Sequence, residues 1–199
     1  MEAVQRHDYS VQEYFSLEKE SQIRHEFYKG ELYAMAGTSL NHNEIVQNVA
    51  LSLRSEFRPK GCRVFSENVK LEVVKDIYYP YPDIVLTCHA DDMTANYVIS
   101  QPSLIVEVLS QSTEKHDRGF KWLHYQRMSS LKHFMLVTQD ECRIELYSRN
   151  GHFWRYEAFD SMEQTIRFEH LAFELAVSAV YETITFVPPG NEGPELVIR

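Results

Sequence analysis

The sequence predicts an α/β or α+β domain built around a mixed β-sheet, and three observations carry that expectation. Residues 103–109, SLIVEVL, and 133–137, HFMLV, are almost wholly apolar, the pattern of central strands covered on both faces. Residues 41–58 place Ile45, Val49, Leu53 and Phe57 four apart, with Val46 and Ala50 beside them, which marks a helix with one buried face. The element order along the chain reads α-ββ-α-β-β-β-α-β-β-β. The chain has 199 residues, 44% of them hydrophobic. A chain of that size can bury roughly 70% of its surface, so a sizeable core is available without staples.

Each element has a local reason. Residues 9–18 carry Val11, Tyr14 and Phe15 behind Ser10, a short amphipathic helix with an N-cap. Residues 24–35 alternate around Lys29-Gly30, a hairpin signal. The long helix 41–58 is ended by Gly61. Residues 62–74 alternate polar and apolar and predict one long strand. Two prolines, Pro80 and Pro82, hold the chain extended on entry to a strand at 83–88. HADDMTANY, 89–97, is expected to be a polar loop. Ser112 and Thr113 offer an N-cap for a helix reaching about Met128, with Glu114 and Asp117 favourably placed in its first turn. Strands are expected at 134–137, 143–149 and 153–159, the last two joined by an Asn150-Gly151 turn. A short helix at 176–181 and a Pro/Gly-rich tail at 186–199 complete the chain, the tail expected as an extended arm.

Global features narrow the function. The 29 acidic and 20 basic side chains leave a net charge of −9, which argues against a protein that simply coats nucleic acid or anionic membrane. No apolar run approaches ~18 residues, so no transmembrane helix is expected. The N-terminal stretch lacks an apolar signal core. The three cysteines, Cys62, Cys88 and Cys142, are expected to be reduced core residues of a cytoplasmic protein. The nine histidines form no zinc-ligand spacing. The charge is also uneven, with a net of +3 over residues 54–75, +2 over 101–133 and −6 over 140–199. Arg54, Arg58, Lys60, Lys115, Arg118 and Arg127 are therefore candidates to line a phosphate path. Tyr78, Tyr79 and Tyr81 are candidate stacking surfaces.

The chemistry points to three residues. Glu107 lies inside the apolar strand, where an ionised carboxylate costs several kcal/mol unless a cation or strong donors meet it. Alternation puts it on the face of Ile105 and Leu109. An ion pair with an arginine is the structural alternative. Asp83 opens the preceding strand. By itself it reads as a turn residue, but adjacent strands would bring its carboxylate near Glu107. Two such oxygen ligands, a backbone carbonyl and waters suit Mg²⁺ or Mn²⁺. Asp117, Lys121 and Tyr125, four apart, share one helical face, from which Lys121 could reach the carboxylates. Its structural alternative is an exposed lysine paired with Asp117.

Pro82-Asp83 followed by Glu107-Val108-Leu109 resembles the PD-(D/E)xK signature of restriction-endonuclease-like nucleases. The segments RHEFYKGELYAMAG, SLNHNEI, KGCRVFSENVKLEV, YYPYPDIVLTC, PSLIVEVLSQSTEKHDRGFKWLHYQ and HFMLVTQD are similar to the Uma-type putative restriction endonuclease family of bacteria, across most of residues 10–180. The resemblance implies a restriction-endonuclease-like core, a central mixed sheet flanked by helices, with additional β-hairpins. It implies a single domain over 1–185: an N-terminal extension at 1–40, a catalytic core at 41–140 and additional strands at 141–185. It further implies a metal-dependent endonuclease acting on DNA, often as a homodimer, with Asp83, Glu107 and Lys121 catalytic. Mg²⁺ or Mn²⁺ would be held by Asp83, Glu107 and the Val108 carbonyl. The signature lysine falls at Leu109, so Lys121 on the following helix is its expected replacement. Glu31 and Glu44 are candidates for the superfamily's additional acid. His42, Asn43 and Lys70 are candidates for phosphate contact. A catalytically silent nucleic-acid-binding or protein-interaction module, and a phosphodiesterase acting on RNA or small nucleotides, are the alternatives on the same scaffold.

Overall fold

The computed structural model describes residues 8–35 and 37–186. Helix α1 (Val11–Glu20) begins at Ser10, whose side chain and that of Glu13 form a reciprocal capping box. Strands β1 (His25–Tyr28) and β2 (Glu31–Ala34) form the expected hairpin. Its turn uses positive φ at Lys29 and Gly30, 49° and 86°. Helix α2 (Leu40–Phe57) follows, capped by the Ser39 hydroxyl, which accepts from the His42 amide. Its buried stripe of Ile45, Val46, Val49, Ala50, Leu53 and Phe57 is the one the fourfold spacing predicts.

The long strand expected over 62–74 is instead two short ones, β3 (Arg63–Ser66) and β4 (Lys70–Leu71). Glu67 and Asn68 both adopt positive φ, 52° and 54°, so the chain turns out of the sheet between them. Alternation by itself cannot detect such a break. Next come β5 (Tyr78–Tyr79) and β6 (Ile84–Thr87). The polar loop expected at 89–97 contains a short helix, α3 (Ala90–Thr94). Buried Asp92 fastens it, accepting from the Thr87 hydroxyl and the Ser100 and Gln101 amides. Strands β7 (Val98–Ile99) and β8 (Leu104–Leu109) follow. The helix expected behind Ser112 and Thr113 begins at Glu114 and runs through a π-helical segment (His116–Lys121) into α4 (Trp122–Tyr125), ending short of Met128. Strands β9 (His133–Thr138), β10 (Ile144–Asn150) and β11 (Phe153–Phe159) are close to expectation. A hairpin of β12 (Thr165–Phe168) and β13 (Phe173–Ala176) was not visible in the periodicity. Helix α5 (Val177–Val180) follows it directly. Apart from Phe186, the tail at 186–199 lies outside the described residues.

The central sheet is mixed, in the order β11-β10-β9-β8-β6-β3. Strands β8 and β9 are parallel, and every other neighbouring pair in this sheet is antiparallel. Strand alternation divides the core in two. Ile84, Leu86, Val106 and Met135 face α2, α5 and the β12–β13 hairpin. Val85, Ile105, Phe134 and Leu136 face Tyr125, Met128 and Leu131. On this second side a three-stranded sheet, β2-β1-β5, stands beside the π-helical segment. Its central strand sends Phe27 into the ring cluster of Tyr14 and Tyr79. Tyr28, next in sequence, points the other way onto Phe120.

The cysteine expectation is overturned: Cys62 and Cys88 form a disulfide, and Cys142 is free. The physical reason is register. Antiparallel pairing of Arg63 with Thr87 puts the residues just outside that pair opposite one another, with Cα atoms 4.3 Å apart. The bond closes a loop of sequence separation 26. In the chain-entropy model such a loop contributes about 3.5 kcal/mol. A Cys88→Ser variant is therefore expected to show a lower urea midpoint than wild type. Equal midpoints, with wild type unaffected by reductant, would remove the bond from the stability of the fold.

Candidate active site

Glu107 is only 2% exposed. Its place on the Ile105–Leu109 face aims it at the helical layer. There the Tyr125 hydroxyl donates to Oε1 at 2.9 Å, and Lys121 Nζ lies 3.1 Å from Oε2. Lys121 is also buried, and its ammonium is 3.0 Å from Asp117 Oδ1 and 3.4 Å from Glu26 Oε1. Lys121 thus pairs with Asp117, as its structural alternative has it, but it is neither exposed nor committed to that partner. Three buried carboxylates surround one ammonium.

Asp83 sits just before β6, next to the point where the pairing of β6 with β8 begins at Ile84 and Val106. Its side chain continues the ladder, with Oδ2 accepting from the Val108 amide at 2.7 Å. His42 Nε2, from the first turn of α2, lies 3.2 Å from Oδ1. Asp83 and Glu107 therefore stand at the same end of neighbouring strands. They line one open cleft of about 1000 Å³ together with Glu26, His42, Asp117 and Lys121.

The electrostatics follow from this crowding. Burial holds the Glu107 carboxyl well above the usual carboxylate range. Lys121 opposes the rise, while Asp117, Asp83 and Glu26 add to it. Burial also acts to raise Glu26, but Lys121 and His116 outweigh it and hold that group below its usual value. Lys121 is driven well above the ordinary lysine value. Burial opposes that shift, and Glu107, Glu26 and Asp117 together overcome it. Burial likewise opposes, but does not prevent, an upward shift of His42 by Asp83.

Four acids against one lysine leave local negative charge uncompensated, a condition that a proton or a divalent cation relieves. The donors are hard carboxylate oxygens, which suit Mg²⁺ or Mn²⁺. Among the described residues, no group of three or more His, Cys, Asp or Glu side chains is arranged to hold a metal ion. The fit therefore rests on two carboxylates plus a backbone carbonyl and waters. Mg²⁺ is commonly bound through one or two carboxylates and completes its shell with waters, so the chemistry of these donors is of the right kind.

The remaining candidates are dispersed. Leu109, at the signature-lysine position, is buried in the apolar core, and the ammonium is supplied from the next helix. Glu31 on β2 accepts from the Tyr33 hydroxyl, and Glu44 is exposed and accepts from Thr183. Neither lines the cleft. Asn43 donates to Glu67 at 3.5 Å. Lys70 faces a different pocket. The tyrosine expectation is corrected: Tyr78, Tyr79 and Tyr81 are at most 4% exposed. Pairing of β5 with β1 draws Tyr78 and Tyr79 inward, and the Tyr81 hydroxyl donates to Glu18. Within the proposed phosphate path, Arg54 donates to the Ser66 hydroxyl, Lys60 pairs with Glu56, and Arg118 pairs with Glu114 and Glu145. Arg58, Lys115 and Arg127 are exposed. Glu26 was missed. Its one local signal is a charged residue beside Phe27 and Tyr28 in a short strand, and its partner lies far along the chain.

Comparisons with known proteins follow the same lines. The model of a family described as "Uma2: Putative restriction endonuclease" matches residues 11–178. Two uncharacterized proteins of Synechocystis sp., slr1290 and sll1609, are each 30% identical to this chain. The first match covers 89% of this chain and 93% of the relative, the second 70% and 80%. A crystal structure from Anabaena variabilis, described as a "putative nuclease belonging to DUF820", superposes with a TM-score of 0.70 at 17% identity. It covers 87% of this chain and 97% of its own. That likeness extends the agreement to the fold, a restriction-endonuclease-like mixed sheet flanked by helices. Among the described residues, no helix is long and apolar enough to cross a membrane.

Proposed function

This chain belongs to the Uma2 family, whose description is "Putative restriction endonuclease", and from that membership we propose that it is a nuclease hydrolysing phosphodiester bonds in DNA with Mg²⁺ or Mn²⁺. The observation that carries the proposal is the meeting of Asp83, Glu107 and Lys121 at one end of β6 and β8, in a cleft open to solvent.

In this reading Asp83, Glu107 and the Val108 carbonyl would hold the metal, which would supply Lewis acidity toward the phosphate and toward the attacking water. The chain's own groups do the rest. The Val108 amide and His42 fix both oxygens of Asp83, so its carboxylate is oriented before any ligand arrives. The Tyr125 hydroxyl fixes Glu107 in the same way. Lys121 places a positive charge beside Glu107, where it offsets charge developing on a phosphate oxygen and can orient a water. Asp117 and Glu26 hold that ammonium in place from the other side.

The direct test is conversion of supercoiled plasmid to nicked circles by the wild-type chain. Nicking is expected with Mn²⁺ or Mg²⁺ and is expected to vanish in EDTA. An RNA of matched length in the same assay separates DNA from RNA as substrate. Absence of nicking with either metal would favour the binding-module alternative, with the buried ion cluster serving the fold.

A further inference from the structure

A second pocket, of about 560 Å³, opens on the far side of Tyr81, which lines both this pocket and the Asp83–Glu107 cleft. Its other walls include Phe15, Lys19, Arg24, Lys70 and Tyr97. Lys70 is the unusual member. It is only 8% exposed, and its ammonium rests against three rings, 4.2 Å from the Tyr14 centroid, 4.4 Å from Phe15 and 5.6 Å from Tyr81. Among the described residues, the Lys70 ammonium has no hydrogen-bond or ion-pair partner.

A buried charge is ordinarily paired. The acid nearest to hand, Glu18, is already committed. It accepts from the Tyr81 hydroxyl, from the His25 amide at 3.1 Å and from His25 Nδ1 at 2.9 Å, and Arg24 lies 4.0 Å away. Lys19, Arg24 and Lys70 against Glu18 leave the pocket with a surplus of positive charge in a chain whose net charge is −9. Burial pulls Lys70 down to about 8, with Glu18 acting against the fall and Arg24 with it. At neutral pH the side chain still carries its charge. Ring faces solvate an ammonium only partly, and all three N–H donors remain available to an anion. At the mouth stands Tyr97, 79% exposed, an apolar face beside the positive surplus.

A phosphate with an attached base fits that chemistry, and Tyr81 as a shared wall sets the pocket beside the cleft. We propose that the Lys70 pocket holds a phosphate of the same nucleic-acid strand whose reacting phosphate lies in the Asp83–Glu107 cleft. The proposal rests on the nuclease reading for its choice of ligand, and it adds a positioning subsite away from the chemistry.

The test reads binding without cleavage. Fluorescence anisotropy with a labelled single-stranded oligonucleotide of twenty thymidines, in EDTA, compares wild type with Lys70→Met, Lys70→Arg and Lys19→Glu. Lys70→Met is expected to weaken binding roughly five- to tenfold and to reduce the slope of log affinity on log salt by about 0.7. Lys70→Arg is expected to restore the slope. Lys19→Glu lies on the exposed rim, so it reports on the pocket even if Lys70→Met fails to fold. Wild-type affinity and slope in Lys70→Met and Lys19→Glu would overturn the proposal, as would a wild type that does not bind the strand. Lys70-dependent binding of inorganic phosphate, with strand binding indifferent to Lys70, would assign the pocket to a free phosphate and also overturn it. A chain that nicks plasmid but ignores Lys70 loses only this subsite. One that binds through Lys70 but never nicks loses only the proposed activity.

Discussion

Glu107→Gln and Asp83→Asn are each expected to lower Mn²⁺-dependent plasmid nicking on the order of a hundredfold or more, while the chain stays folded. Each substitution removes an anionic ligand and preserves shape. The stability side of the expectation comes from the geometry. Glu107 is buried among Asp117, Asp83 and Glu26 with one ammonium between them, and burial already drives its carboxyl toward the protonated form. A neutral amide therefore costs little, and the urea midpoint of Glu107→Gln is expected to equal or exceed that of wild type. The combination is diagnostic, because a structural ion pair would lose stability when neutralised and a metal ligand loses turnover. Wild-type nicking by both variants would sink the catalytic assignment. A large fall in the midpoint of Glu107→Gln would instead make Glu107 a structural partner of Lys121.

Lys121→Met is expected to do the reverse to stability. Removing one member of a buried ion cluster strands the remaining charges, at about 3–5 kcal/mol. Here three carboxylates, Glu26, Glu107 and Asp117, would lose their shared cation. The urea midpoint should fall accordingly, and nicking should be lost with it. The double variant Lys121→Met with Glu26→Gln should recover much of the midpoint without recovering activity, since it removes the carboxylate that Lys121 holds ionised without returning the ammonium. An unchanged midpoint in Lys121→Met would mean that water reaches the cluster and solvates it. Full activity in that variant would remove Lys121 from the proposed chemistry.

Much of the site was legible because its rules are local. An acid inside an apolar strand, another at the start of the strand before it, and a lysine four residues from Asp117 and Tyr125 can all be found by counting. The two strands also follow one another among the strands of the central sheet, since the intervening β7 pairs elsewhere, and strands close in sequence commonly pair. The long helix and the central strands were legible for the same reason: burial imposes a period of 3.6 or 2. Glu26 escaped because its role depends on a hairpin docking against a helix far along the chain. The separate pocket around Lys70 was not legible, because two residues of positive φ, Glu67 and Asn68, carry it out of the central sheet. The tyrosines of the YYPYP segment looked like surface rings because nothing local shows that β5 is covered by β1 and the π-helical segment.

By itself, then, the sequence determined the class of the fold and the buried faces of its main elements, and it singled out Asp83, Glu107 and Lys121, which the fold brings to one cleft. Tertiary structure alone decided which charges share a partner, that Cys62 meets Cys88, and that Lys70 opens into a pocket of its own. The division has a physical cause. Hydrophobic periodicity is written into each segment and survives any arrangement of its neighbours. Ion clusters, disulfides and pockets are made where segments distant in sequence converge, and there register and the bending of a few residues choose the partners.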